Sequence, residues 1–127
     1  VIPTGYLLLD GGSDTAVQFM SGTVPIPMDK LDISTAHALA AQYLGKKLIY
    51  LEAGSGAKQA VPNELINEVT EYVDIPLIVG GGIRKPEVAR EKVEAGASFV
   101  VTGTIIEENN NEDMLKKFAE AIHVNQT

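Results

Sequence analysis

Apolar residues along this chain fall into two alternating patterns. Short runs rich in Leu, Ile and Val, among them Tyr6-Leu7-Leu8-Leu9 and Leu77-Ile78-Val79, are separated by longer stretches where apolar positions recur every three or four residues. The runs predict strands and the periodic stretches predict helices. A first strand, Tyr6 to Leu9, ends in Asp10-Gly11-Gly12-Ser13, followed by a connection with Pro25 and Pro27 that is too long for a simple turn. A helix then runs from about Asp29 to Leu44, with Ile33, Ala36, Ala40 and Tyr43 as its buried stripe and Gly45 as its stop.

The second strand is Lys47 to Leu51. Its helix opens at Pro62, a favoured first helical position, and buries Leu65, Val69 and either Tyr72 or Val73. Asp74-Ile75-Pro76 turns the chain into the third strand, which ends at Val79. The third helix starts at Pro86, packs Val88 and Val93, and stops at Gly96. After a fourth strand, Ser98 to Thr102, Glu107 to Glu112 reads as a solvated loop. The last helix runs from Asn111 to about Ile122, with Leu115, Phe118 and Ile122 on one face and Asn110 or Asn111 as its cap.

Strands alternating with helices imply a parallel sheet with helices packed outside it. Such a sheet is either open and doubly wound or part of a (β/α)₈ barrel. No Gly-x-Gly-x-x-Gly follows the first strand, so the dinucleotide-binding pattern is missing. Glycine loops after the last two strands favour the barrel, whose phosphate sites sit after strands seven and eight. The fold class is therefore α/β, with residues 1–127 forming one domain: the C-terminal half of a TIM barrel, four βα units carrying the phosphate-binding loops. A whole barrel takes about 250 residues. Four strands alone leave two unpaired edges and an uncovered inner face. Another half is expected, either an N-terminal portion or a second copy of the chain. The first residue, Val1, also points to trimming or to a longer protein.

Composition narrows the function. A net charge of -7 argues against a nucleic-acid partner. Absence of cysteine excludes disulfides and thiolate catalysis and fits a reducing, cytoplasmic setting. No apolar run is long enough to cross a membrane. His37 and His123 are too few and too far apart in sequence for a histidine-rich metal cluster, and no metal ligand is assigned.

The chemistry gathers at strand ends. In Tyr50-Leu51-Glu52-Ala53-Gly54-Ser55-Gly56, strand alternation puts Leu48, Tyr50 and Glu52 on one face, and Ile49 and Leu51 on the other. A phenol and a carboxylate on one face at a strand end make a poor core and a good site. Glu52 is the candidate general base, with Tyr50 beside it to position a substrate hydroxyl. Gly54 and Gly56 allow close approach of amides to an anion, and Ser55 offers a hydroxyl. Gly81-Gly82 and Gly103-Thr104 look like a phosphate cradle built from two adjacent loops, towards which the helix starting near Pro86 can aim its positive end. Turns needing positive φ would also use glycine, but Gly80-Gly81-Gly82 is more than a turn requires. Arg84 could neutralise phosphate or lie in solvent, and Asp10 reads as part of a turn.

Tyr-Leu-Glu-Ala-Gly-Ser-Gly, Gly-Gly-Gly-Ile-Arg and Val-Thr-Gly-Thr-Ile-Ile-Glu-Glu, in that order, resemble geranylgeranylglyceryl phosphate synthase of archaea. Gly5-Tyr6-Leu7-Leu8-Leu9 and Ala41-Gln42-Tyr43-Leu44-Gly45 resemble the same family. Ala53-Gly54-Ser55-Gly56 points to the archaeal type rather than the related bacterial heptaprenyl enzyme. The resemblance covers essentially the whole chain. It implies a (β/α)₈ barrel prenyltransferase joining geranylgeranyl diphosphate to sn-glycerol 1-phosphate in phospholipid biosynthesis. Tyr50, Leu51, Glu52, Ala53, Gly54, Ser55, Gly56, Gly81, Gly82, Gly103 and Thr104 would hold glycerol phosphate, and Glu52 would accept the proton of the attacking hydroxyl. The family's Mg²⁺ ligands lie on two earlier strands with no counterpart here, so Mg²⁺ is expected from the N-terminal half and the isolated chain is expected to be inactive or impaired. A homo-oligomer is also expected. The alternatives are a non-catalytic phosphate-binding half-barrel and another phosphate-binding TIM-barrel enzyme.

Overall fold

The computed structural model describes residues 1–12, 22–109 and 112–123. Ser13 and the helix cap expected at Asn110 or Asn111 lie outside the described residues. Four strands, β1 (Thr4–Leu8), β2 (Leu48–Glu52), β3 (Leu77–Gly80) and β4 (Phe99–Val101), form one parallel sheet in chain order. The helices are α1 (Leu31–Tyr43), α2 (Asn63–Tyr72), α3 (Pro86–Ala95), α4 (Thr104–Asn109) and α5 (Glu112–Ile122). The expected βα alternation is what forms. Part of the long first connection returns to the sheet, where Ile26 bridges Leu9 and its N–H donates to the Leu8 carbonyl at 2.9 Å.

The core lies between one face of the sheet and the helices. Ile49 and Leu51 of β2 and Leu77 and Val79 of β3 are buried against Leu65, Ile66 and Val69 of α2, Ala38 of α1, Ala89 of α3 and Phe118 of α5. The register places Tyr6 beside Tyr50, Tyr50 beside Ile78, and Ile78 beside Phe99. These residues share the opposite face, where Tyr6 is 49% and Phe99 55% exposed. That face carries no helix among the described residues, as a half-barrel's inner wall requires.

Three sequence expectations are corrected. The stripe Ile33, Ala36, Ala40 and Tyr43 faces outward, with Tyr43 81% exposed, while Ser34, Thr35 and Ala38 are buried instead. The cause is close helix–strand approach: a Cβ on Gly5 would sit 2.7 Å from Ala41 Cβ, so α1 turns small side chains to β1 at that crossing. Leu115 of α5, expected on the packed face, is 52% exposed while Met114 packs inward; of the two alternatives at the end of α2, Val73 is the buried one. The stretch expected to be a solvated loop from Glu107 begins instead inside the short helix α4.

Candidate functional site

A cavity of about 240 Å³ opens at the C-terminal ends of β2, β3 and β4. From β2 and its loop come Tyr50, Glu52, Ser55 and Gly56; from β3 and its loop come Gly81, Gly82, Ile83 and Arg84. The wall is completed by Val101 to Ile105, with Glu107 and Glu108 on α4. Strand alternation explains why the β2 residues meet here. Tyr50 and Glu52 point away from the helix layer, whereas Leu51 and Ala53 are buried on the other side.

Of the site residues expected from sequence, Tyr50, Glu52, Ser55, Gly56, Gly81, Gly82, Gly103 and Thr104 line one cavity. Leu51, Ala53 and Gly54 do not. Leu51 and Ala53 belong to the core, and the Gly54 N–H donates to Glu52 Oε1 at 2.8 Å. That amide holds the carboxylate instead of facing an incoming anion. The wall contributed after β3 stops at Arg84, so Lys85 and Pro86 at the start of α3 are not part of it.

Glu52 and Tyr50 form a coupled pair. A Cβ on Gly80 would lie 2.8 Å from Tyr50 Oη and 3.1 Å from Glu52 Oε2, so both polar ends sit over that glycine. Burial, the hydrogen bond to Glu52 and the Glu52 charge push the Tyr50 phenol well above its ordinary value of 10.0. Tyr50 therefore keeps its proton and donates it to the carboxylate. One Glu52 oxygen takes an amide, the other faces a phenol, and further lone pairs are left for a ligand hydroxyl.

The loop geometry depends on glycine at Gly81, whose φ is +90°. A Cβ there would lie 2.7 Å from the Gly54 carbonyl oxygen and 2.9 Å from Glu52 Oε1. The β3 loop thus lies directly against the β2 loop, and Thr102 Oγ1 donates to the Ile83 carbonyl at 3.2 Å, tying in the segment after β4. Three neighbouring strand ends are fastened into one concave surface, the place where barrels carry their chemistry.

Sequence reasoning missed Tyr6, Thr102 and the Glu107–Glu108 part of the wall. A six-residue helix shows too little periodicity to be read. Tyr6 comes into view only once strand order and register put it level with Tyr50. Among the described residues no three His, Cys, Asp or Glu side chains come together to hold a metal ion. These residues do not supply a donor set for Mg²⁺.

Parallel βα units with a polar cavity at the strand ends define a class, the (β/α)-barrel proteins. Within that class the chain belongs to the PcrB family, whose model matches residues 1–122. Relatives called geranylgeranylglyceryl phosphate synthase are similar to it over nearly its whole length. The one from Chitinophaga pinensis is 44% identical over 97% of this chain and 48% of its own length, and the one from Thermococcus gammatolerans 48% identical over 96% of this chain and 48% of its own. Bacterial and archaeal proteins match alike, so the likeness does not select an archaeal type. The crystal structure of (S)-3-O-geranylgeranylglyceryl phosphate synthase from Thermoplasma acidophilum, in complex with sn-glycerol-1-phosphate, is 43% identical with a TM-score of 0.89, covering 95% of this chain and 49% of its own. The Thermoplasma volcanium enzyme gives the same TM-score at 39% identity. The chain spans about half the length of the curated relatives it matches. Among the described residues no helix is long and apolar enough to cross a membrane.

Proposed function

We propose that this chain supplies the sn-glycerol 1-phosphate half of a geranylgeranylglyceryl phosphate synthase site. The observation that carries the reading is the placement of Glu52, held by Gly54 and Tyr50, in one cavity with Gly81, Gly82, Gly103 and Thr104. A phosphate rests against the glycine loops and Thr104, with Arg84 at the rim. That leaves the glycerol hydroxyl facing Glu52. The hydroxyl oxygen attacks the allylic carbon of geranylgeranyl diphosphate; a C–O ether bond forms, the bond to diphosphate breaks, and the hydroxyl proton passes to Glu52. Tyr50 stays protonated and fixes the carboxylate.

The barrel is closed by a second half, an N-terminal portion or another copy, and on this reading that half brings the Mg²⁺ donors and the diphosphate site. Residues 1–127 act as one unit in it, and the cysteine-free chain works in the cytoplasm. The test is an assay with geranylgeranyl diphosphate, sn-glycerol 1-phosphate and Mg²⁺, with and without the N-terminal half of a relative. Turnover is expected in the mixture and is expected to fall about 100-fold or more with Glu52→Gln at little change in glycerol phosphate affinity. Unchanged turnover in that variant would remove Glu52 from its role.

A further inference from the structure

Tyr6 lies on β1, outside every loop that forms the cavity, and no step above uses it. Parallel pairing puts it directly beside Tyr50. Their rings stack with centroids 5.3 Å apart and planes 17° from parallel. Tyr50 in turn is flanked by Gly80, where any Cβ would press on its hydroxyl. The Tyr50 ring thus has the Tyr6 ring on its β1 side and Ile78 as its register partner on β3, with its hydroxyl end over Gly80.

We infer that Tyr6 is a positioning residue, a ring that fixes Tyr50 so that its hydroxyl stays on Glu52 and the carboxylate keeps a single orientation. The inference rests on the glycerol-phosphate reading for its purpose, but its geometry stands apart from it. Tyrosine at position 50 has two soft side-chain torsions, and without a neighbour on the β1 side its ring can swing over the half-open inner face. Glu52 would then lose one of the two donors that orient it, leaving only the Gly54 amide. The Tyr6 ring does the positioning; its hydroxyl is dispensable. Burial and the Glu52 charge both raise the Tyr6 phenol above its ordinary value of 10.0, which keeps Tyr6 neutral beside the acid. Because the Tyr6 side chain is half exposed, replacing it leaves little void and the fold should survive.

The experiment follows the Tyr50 ring carbon bearing the hydroxyl by NMR in the full chain labelled at tyrosine, at pH about 10.5, where an ordinary phenol is mostly ionised. In the unsubstituted chain Tyr50 reads as phenol. Tyr6→Phe is expected to leave that signal in place, and Tyr6→Leu to move it towards phenolate. In the reconstituted mixture Tyr6→Leu should lower turnover by about two- to tenfold, the range of one aromatic pair, with Tyr6→Phe unchanged and the glycerol phosphate affinity of all three chains alike. A Tyr50 signal that ignores Tyr6→Leu overturns the inference, as does a Tyr6→Phe chain that behaves like Tyr6→Leu. If no chain binds glycerol phosphate, the proposed function fails, while the Tyr50 signal still decides the role of Tyr6.

Discussion

Two glycines with similar backbone angles allow the packing of the site loops to be measured apart from their conformational strain. Gly81 has φ of +90° and Gly56 of +69°. A Cβ at Gly56 would meet nothing within 4 Å, whereas at Gly81 it would meet the Gly54 backbone at 2.7 and 2.8 Å and Glu52 Oε1 at 2.9 Å. Alanine in the left-handed region costs roughly 1–2 kcal/mol at either position. Overpacking adds about 1–3 kcal/mol, and only at Gly81, where the obstacle is backbone that cannot rotate aside. The loss of unfolded-state freedom on replacing glycine is common to both and drops out of the difference. At about 2.1 cal/mol/K of unfolding entropy per residue, a 127-residue chain moves its midpoint by about 4 °C per kcal/mol. Gly56→Ala should therefore lower the melting temperature by about 4–8 °C and Gly81→Ala by about 8–20 °C, followed by circular dichroism. Equal losses in the two variants would refute the claim that the β3 loop is wedged against the β2 loop and Glu52.

Other consequences can be checked with the same chain. The Tyr50 and Tyr6 phenols both titrate above their ordinary value in the fold, so the unfolded chain binds fewer protons once the pH passes about 10. Stability should be flat below that pH and fall as it rises further, and a Tyr6→Phe/Tyr50→Phe chain should show a shallower fall in urea titrations. Lys92 is buried and donates from Nζ to Asn63 Oδ1 at 2.7 Å, with burial lowering its pKa from 10.5. Lys92→Met should change stability by less than about 1 kcal/mol, because water can replace the donor at exposed Asn63, while Lys92→Ala should cost about 2 kcal/mol through the cavity it leaves. Tyr43→Ala should cost less than about 1 kcal/mol and Leu65→Ala about 2–5 kcal/mol, measured by denaturant midpoints; comparable losses would show that the outer face of α1 is packed in this chain.

How much of this was legible in the sequence depended on which signal each element carries. β2 and β3 were plain because short apolar runs bounded by glycine or proline have few other readings. Their alternation also predicted that Tyr50 and Glu52 would face away from Leu51. α2 was plain for a similar reason: Leu65 and Val69 stand out against Glu64, Asn67 and Glu68. α1 was not. Its alanines make several stripes almost equally apolar, and the side that packs was chosen by the contact of Ala41 with Gly5, a tertiary fact absent from local periodicity. Gly54 was misjudged in a related way. Its amide looked available to an anion, but the chain folds back two residues and spends it on Glu52. The stack of Tyr6 on Tyr50 needed strand order and register together, which no single segment reveals.

On the proposed function, the glycine loops after β3 and β4 hold the phosphate of sn-glycerol 1-phosphate beside Glu52. The most direct test is an amide NMR titration of the chain with that ligand. Saturable shifts are expected at Gly81, Gly82, Gly103 and Thr104, with the Glu52 side-chain carboxyl signal moving in step. A titration in which those amides stay still, or in which the shifts gather at another surface, would contradict it.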